Sequence, residues 1–242
     1  MFATAHDAIK ESHATYLKNH TEFAVETPPG TTTLLGGILA KIEQREGYPE
    51  DPQYVCVFIN VGDCKLYLYR QDNVVMDVTR GTRPSSLSAA DPGGRLGGGD
   101  DPDLRNLSIV VCGVQKGDRL VLVTDGVHDN LDPIHLGHES TEYGYSSWES
   151  IAGDSSAQDF CKEKFASELL QQVADGRPET ITNLLLEHSR KTTESSRTFL
   201  KQNPRKRLPK NYKEFPGKLD HSTCVVFDVD EFEMEMRNLA FS

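Results

Sequence analysis

Short apolar runs separated by very short turns constrain this chain most. Tyr54-Val-Cys-Val-Phe-Ile-Asn-Val61 has the composition of a buried strand, and Cys64-Lys-Leu-Tyr-Leu-Tyr-Arg70 alternates like a half-buried one. Only Gly62-Asp63 lies between them, a spacing that predicts a two-residue hairpin. Gln71-Asp-Asn73 then turns the chain into Val74-Val-Met-Asp-Val-Thr79, which predicts a three-strand meander. Leu107 to Cys112 and Arg119 to Thr124 predict a second strand pair about Lys116-Gly117-Asp118. Thr223-Cys-Val-Val-Phe-Asp-Val229 predicts a last strand. Helical patterns fall at 3–18, at 157–174 with Asp154-Ser-Ser156 as the cap, and from Pro178, a good first-turn residue, to about Lys191. Residues 31–43 fit either state: Leu34, Leu35, Ile38, Leu39 and Ile42 have helical spacing, whereas Thr31-Thr-Thr33 and Gly36-Gly37 favour a strand. Strands joined by short turns and helices grouped apart predict an α+β fold with antiparallel sheets, not a doubly wound one.

Charge narrows the function classes. The 242 residues carry 26 Lys and Arg against 37 Asp and Glu, a net −11, which argues against a general nucleic-acid binder. Residues 189–218 depart from this, with ten basic residues and two acidic ones. No apolar run approaches bilayer-spanning length, and residues 1–20 do not read as a secretory signal, so no membrane partner is expected. Five cysteines without a CxxC pair predict free thiols in a reducing compartment, with Cys56, Cys112 and Cys224 mostly buried in strands. The expected location is the cytoplasm, with Asn203-Pro-Arg-Lys-Arg-Leu-Pro-Lys210, a basic cluster between prolines, as a candidate nuclear-import signal or acidic-partner dock, equally readable as a solvated insertion.

Three aspartates sit at strand boundaries beside small residues. Asp63 lies in the Gly62-Asp63 turn, Asp125 ends Leu120-Val-Leu-Val-Thr-Asp-Gly126, and Asp220 precedes the last strand in Lys218-Leu-Asp-His-Ser222. Aspartate is also simply a good turn residue. Several carboxylates converging where a sheet runs out, however, suit a hard cation such as Mg²⁺ or Mn²⁺.

Taken together, four segments resemble the motifs of the metal-dependent protein phosphatases, the PPM or type 2C family. They are Pro29-Gly-Thr-Thr-Thr33, Gly62-Asp-Cys-Lys65, Gly117-Asp-Arg-Leu-Val-Leu-Val-Thr-Asp-Gly-Val-His-Asp129 and Gly217-Lys-Leu-Asp-His-Ser-Thr-Cys-Val-Val-Phe227. The resemblance implies an α-β-β-α sandwich, two packed antiparallel sheets flanked by helices, over residues 1–229. It implies a basic insertion at about 189–218 and a tail at 230–242, and it resolves 31–43 toward a strand. The activity implied is protein serine/threonine phosphatase, hydrolysing phosphomonoesters of phosphorylated proteins with a Mg²⁺- or Mn²⁺-activated water. Asp125 and Asp220 match metal ligands, and Asp63 matches a carboxylate that helps hold a further metal. Gly126 matches the glycine that lets the chain turn beside Asp125, and Asp129 a carboxylate behind the ligands.

The family's N-terminal phosphate-gripping Arg, Glu-Asp pair and Asp-Gly-His-Gly-Gly segment have no counterpart here, so the sandwich is expected to be N-terminally incomplete. His128 stands where the family has Trp and His221 where it has Asn. The alternative these departures carry is a catalytically inactive pseudophosphatase acting as a binding or regulatory module.

Two other patterns read as scaffold. Gly93-Gly-Arg-Leu-Gly-Gly-Gly99 lacks the Lys-Ser/Thr of a P-loop and predicts a flexible or substrate-facing loop, with Arg95 and Arg105 as conceivable phosphate contacts. His135, His138 and Glu139 lack a closing ligand for zinc and read as a polar loop. Trp148 reads as packing.

Overall fold

A computed structural model describes residues 2–19, 30–43, 51–81, 92–173 and 176–229. Pro29, the polar loop before Asp51, residues 82–91 and the tail from Asp230 lie outside the described residues. The helices are α1 (Phe2–Asn19), a single turn α2 (Asp125–His128), α3 (Ser155–Leu170), α4 (Pro178–Thr192) and α5 (Glu194–Gln202). The strands are β1 (Thr31–Thr32), β2 (Leu34–Lys41), β3 (Tyr54–Val61), β4 (Lys65–Tyr69), β5 (Val75–Asp77), β6 (Leu96–Gly97), β7 (Ser108–Val114), β8 (Arg119–Val123) and β9 (Cys224–Asp228).

All strand pairs are antiparallel, in the orders β2-β3-β7, β5-β4-β8-β9 and β1-β6. The fold is α+β. Residues 31–32 and 34–41 are strand, as the resemblance implied. Of the expected meander, β4 and β5 pair as predicted, whereas other pairings differ from the sequence reading. β3 and β4 do not form a hairpin, because β3 pairs with β2 and β7 while β4 pairs with β5 and β8. Likewise β7 and β8 belong to different sheets, so the first hairpin of the meander and the second strand pair are both corrected. The short links pass from one sheet to the other instead of folding back. Gly62 makes the first of these corners at φ 101°, a conformation that glycine adopts without steric cost.

The two larger sheets pack face to face. Tyr54, Cys56 and Phe58 of β3 and Val114 of β7 meet Leu66 and Leu68 of β4 and Leu120 of β8. The opposite face of the four-stranded sheet, with Tyr67, Tyr69, Val121 and Val123, is covered by Ala166, Leu170, Ile181 and Leu185 from α3 and α4. With both faces covered, every residue of β4 is buried, although its sequence alternates as if one face met water. Lys65 therefore sits inside, held by Asp77 at 2.6 Å and Asp159 at 3.2 Å.

At the other end of the chain, α1 packs by β6. The buried residue of its inner face is His6, whose Nδ1 accepts from Gly97 N at 2.9 Å. Part of the basic segment is ordered as α5, anchored where Phe199 meets Phe215 at 5.1 Å between ring centroids.

Candidate functional site

The carboxylates gather at one end of the four-stranded sheet because its register puts them there. Lys65 lies opposite Val123, and Val123 opposite Cys224. Asp63 enters β4, Asp125 leaves β8 and Asp220 approaches β9, so the antiparallel pairing brings all three to the same edge. Beyond the ladder, Thr124 N donates to Thr223 O at 3.1 Å, and Ser222 Oγ donates to Gly126 O at 2.9 Å. These bonds hold the Asp125 and Asp220 segments side by side.

Gly126 acts here by close approach. It is not a left-handed turn residue, since it lies within α2, but a Cβ on it would lie 2.2 Å from the His221 carbonyl oxygen.

Asp125, Asp129 and Asp220 converge on one cation, the ammonium of Lys218. Its Nζ lies 2.7 Å from Asp125 Oδ2, 3.1 Å from Asp129 Oδ2 and 3.5 Å from Asp220 Oδ2. Burial works against the charge of Lys218, yet Asp129 and Asp125 raise its pKa above the usual lysine value. Asp63 is buried at the same edge. Burial pushes the adjacent Cys64 thiol up to about 11, and the charges of Asp63 and Asp125 add to the effect.

A second layer of charge lies beneath. Asp129 is fully buried, with Oδ1 3.3 Å from His128 Nδ1 and 3.6 Å from Lys162 Nζ. Lys162, from α3, also reaches Asp132 Oδ2 at 3.2 Å. Burial opposes ionisation of Asp129, but His128, Lys162 and Lys218 together hold its carboxyl well below the usual carboxylate range. Neither lysine stood out in the sequence, where a lone lysine reads as solvated surface. The available hint was that Lys218 falls two residues before Asp220.

Other sequence candidates prove structural. Asn106 accepts from Gly62 N at 2.9 Å and donates to Gly62 O at 2.7 Å and Pro92 O at 2.9 Å, so the Gly-rich segment is ordered against the Asp63 turn. Arg105 is paired with Asp103 at 2.9 Å. His135 is buried by Asp132 and packs at a tilt against Tyr212, while His138 packs edge-on against Phe165. Among the described residues, no three His, Cys, Asp or Glu side chains form a ready metal cage. A cavity of about 240 Å³ adjoins the carboxylates, lined by Asn130, Arg190, Arg197, Lys218 and Asp220. A larger one, about 680 Å³, opens between α3 and α4 along Leu169 and Leu184.

No protein-family model matches the chain. A Drosophila melanogaster protein described as PP2C-like domain-containing protein CG9801 is 32% identical over 107 residues, 41% of this chain and 15% of that protein. Among solved structures, the phosphatase domain of SpoIIE from Bacillus subtilis aligns over 94% of this chain and 71% of its own, at 18% identity and TM-score 0.42. The photosystem II phosphatase PBCP aligns over 94% and 79%, at 18% and 0.41. Both structural likenesses are weak. The motif resemblance and the Drosophila relative agree: this chain resembles the PPM, or type 2C, protein phosphatases.

Proposed function

We propose that this chain acts on phosphoserine or phosphothreonine in proteins as a PPM-type phosphatase domain using Mg²⁺ or Mn²⁺. The observation that supports this most is that Asp125 and Asp220, from separate strand ends, share one cation. The ammonium of Lys218 is the stand-in. A set of carboxylate oxygens that gathers around a cation has the donor chemistry Mg²⁺ and Mn²⁺ require. Asp125 and Asp220 would hold the metal, and Asp63 at the same edge would help to hold a further one. When bound, such a metal lowers the pKa of a water and neutralises charge on the phosphoryl oxygens. Asp129 fixes the site from behind, its charge set by Lys162 and His128. Arg197, on the wall of the adjoining cavity, supplies positive potential toward an incoming phosphoryl group, while the neighbouring Arg190 is paired with Glu187.

A second reading, a pseudophosphatase that binds without hydrolysing, is favoured by Lys218 standing among the carboxylates. Hydrolysis of p-nitrophenyl phosphate and of a phosphothreonine peptide, with and without Mn²⁺, separates the two. The phosphatase reading expects slow Mn²⁺-dependent turnover that Asp125→Ala and Asp220→Ala each abolish. Turnover no higher than in those variants, at any Mn²⁺ concentration and with Lys218 neutralised as well, would leave the second reading.

A further inference from the structure

Lys218 is not a surface lysine that happens to fall on an acidic patch, because the fold builds its position. Asn130 clamps its backbone on both sides: Lys218 N donates to Asn130 Oδ1 at 3.0 Å, and Asn130 Nδ2 donates to Lys218 O at 3.0 Å. The same Asn130 Nδ2 reaches Gly126 O at 2.8 Å, which ties Lys218 to the turn that carries Asp125. Gly217, just before it, has φ 77° and donates its N–H to His135 O at 2.6 Å. A Cβ on Gly217 would come within 2.1 Å of Asn130 Oδ1, so this approach admits only glycine. The loop is thus pinned at three points, and its side chain ends between Asp125, Asp129 and Asp220.

We infer that Lys218 is a built-in counter-ion that closes the carboxylate centre, so that a divalent metal enters only when the lysine side chain swings out. The inference rests on the phosphatase reading and adds to it a means of control. A metal drawn to Asp125 and Asp220 must displace the ammonium or accept a like charge at contact distance, and either requirement weakens its binding. The backbone clamp keeps the lysine close by after it leaves. Its flexible stem and partial exposure give it a way out, since the side chain is 23% accessible.

The test is Mn²⁺ binding to the full chain, read from the electron paramagnetic resonance signal of free Mn²⁺, which does not require turnover. Lys218→Met removes the charge at similar volume, Lys218→Gln repeats the test with a polar side chain, and Lys218→Arg keeps the charge. Circular dichroism checks that each variant is folded. Wild type and Lys218→Arg should bind weakly, and Lys218→Met and Lys218→Gln at least about tenfold more tightly. Adding Asp125→Ala to Lys218→Met should abolish the gain. Wild type binding as tightly as the neutral variants would overturn the counter-ion role and leave the metal reading intact. No Mn²⁺ binding by any folded variant, the neutral ones included, would overturn the metal reading together with the inference drawn from it.

Discussion

Gly217→Ala measures how rigid the Asn130 clamp is. The substitution has two costs. An alanine at φ 77° sits in the left-handed region, which disfavours a residue with a Cβ by about 1–2 kcal/mol. Its Cβ would also fall 2.1 Å from Asn130 Oδ1, 2.7 Å from Thr192 Cγ2 and 3.1 Å from Thr193 Cγ2. Forcing an extra carbon into a packed site costs about 1–3 kcal/mol more. Gly144 provides the control: its φ is 84°, and nothing lies within 4 Å of the Cβ it would carry. Gly144→Ala therefore meets the backbone term alone. In urea denaturation followed by circular dichroism, Gly217→Ala should lose about 1–3 kcal/mol more than Gly144→Ala. In thermal melts the difference should be roughly 2–12 °C for a chain of this size. If the two variants agree within about 0.5 kcal/mol, Asn130 yields easily and the loop carrying Lys218 is not clamped.

Removing the buried charge of Asp129 should cost about 3–5 kcal/mol at pH 7, because Asp129→Asn leaves Lys162 and Lys218 facing a neutral amide; urea denaturation measures this. The folded-state pKa of Asp129 is depressed, so its contribution is present above the unfolded carboxylate value near 3.9 and is lost as pH falls below it toward the folded value. Wild type should consequently lose stability between about pH 4 and pH 2 more steeply than Asp129→Asn, a difference that pH-dependent melts resolve. Burial pushes the thiols of Cys64 and Cys224 up to about 11, and the hydrogen bond to Cys112 together with burial raises Cys56 further. Iodoacetamide labelling of these three should be slow at pH 8 and faster at pH 9 in the folded protein; rapid labelling of all of them at pH 8 would contradict their raised pKa values.

Strand positions were legible because apolar runs and turn residues mark them locally: Tyr54–Val61 and Cys224–Asp228 fall within the expected segments. Strand partners were legible only across the β4–β5 turn. A two-residue link such as Gly62-Asp63 fits a hairpin or a corner between sheets equally well, and only the packing of Phe58 against the four-stranded sheet decides for the corner. α5 escaped notice because Glu194-Ser-Ser-Arg197 has weak helix propensity, and the helix depends on the contact of Phe199 with Phe215. The aspartates of the site were visible as motif residues. Its cations were not, because burial of a lysine is a tertiary property. Cys56, one of three thiols expected to be mostly buried, is so, while Cys112 and Cys224 are half-buried because they lie on outer strands of their sheets.

Depth separates the three inward-pointing lysines. Lys65, with its side chain 3% accessible, answers Asp77 and Asp159, and Lys162, at 4%, answers Asp129 and Asp132. For either to leave, a pair of carboxylates would stay behind without their cation in a place that water reaches poorly, at a cost of several kcal/mol. Lys218, at 23%, stands at the rim, where water can solvate both the departing ammonium and the carboxylates it vacates. The same acidic end of the sheet therefore holds two kinds of cation. The inner ones are part of the fold, and one of them, Lys162, helps to fix the charge of Asp129. In the proposed counter-ion role the outer one is exchangeable, and the carboxylates it would release, Asp125 and Asp220, are those proposed to hold the metal. Because Asp129 touches both Lys162 and Lys218, it stays neutralised from within when the outer lysine moves, so opening the centre does not require unfolding the layer beneath it.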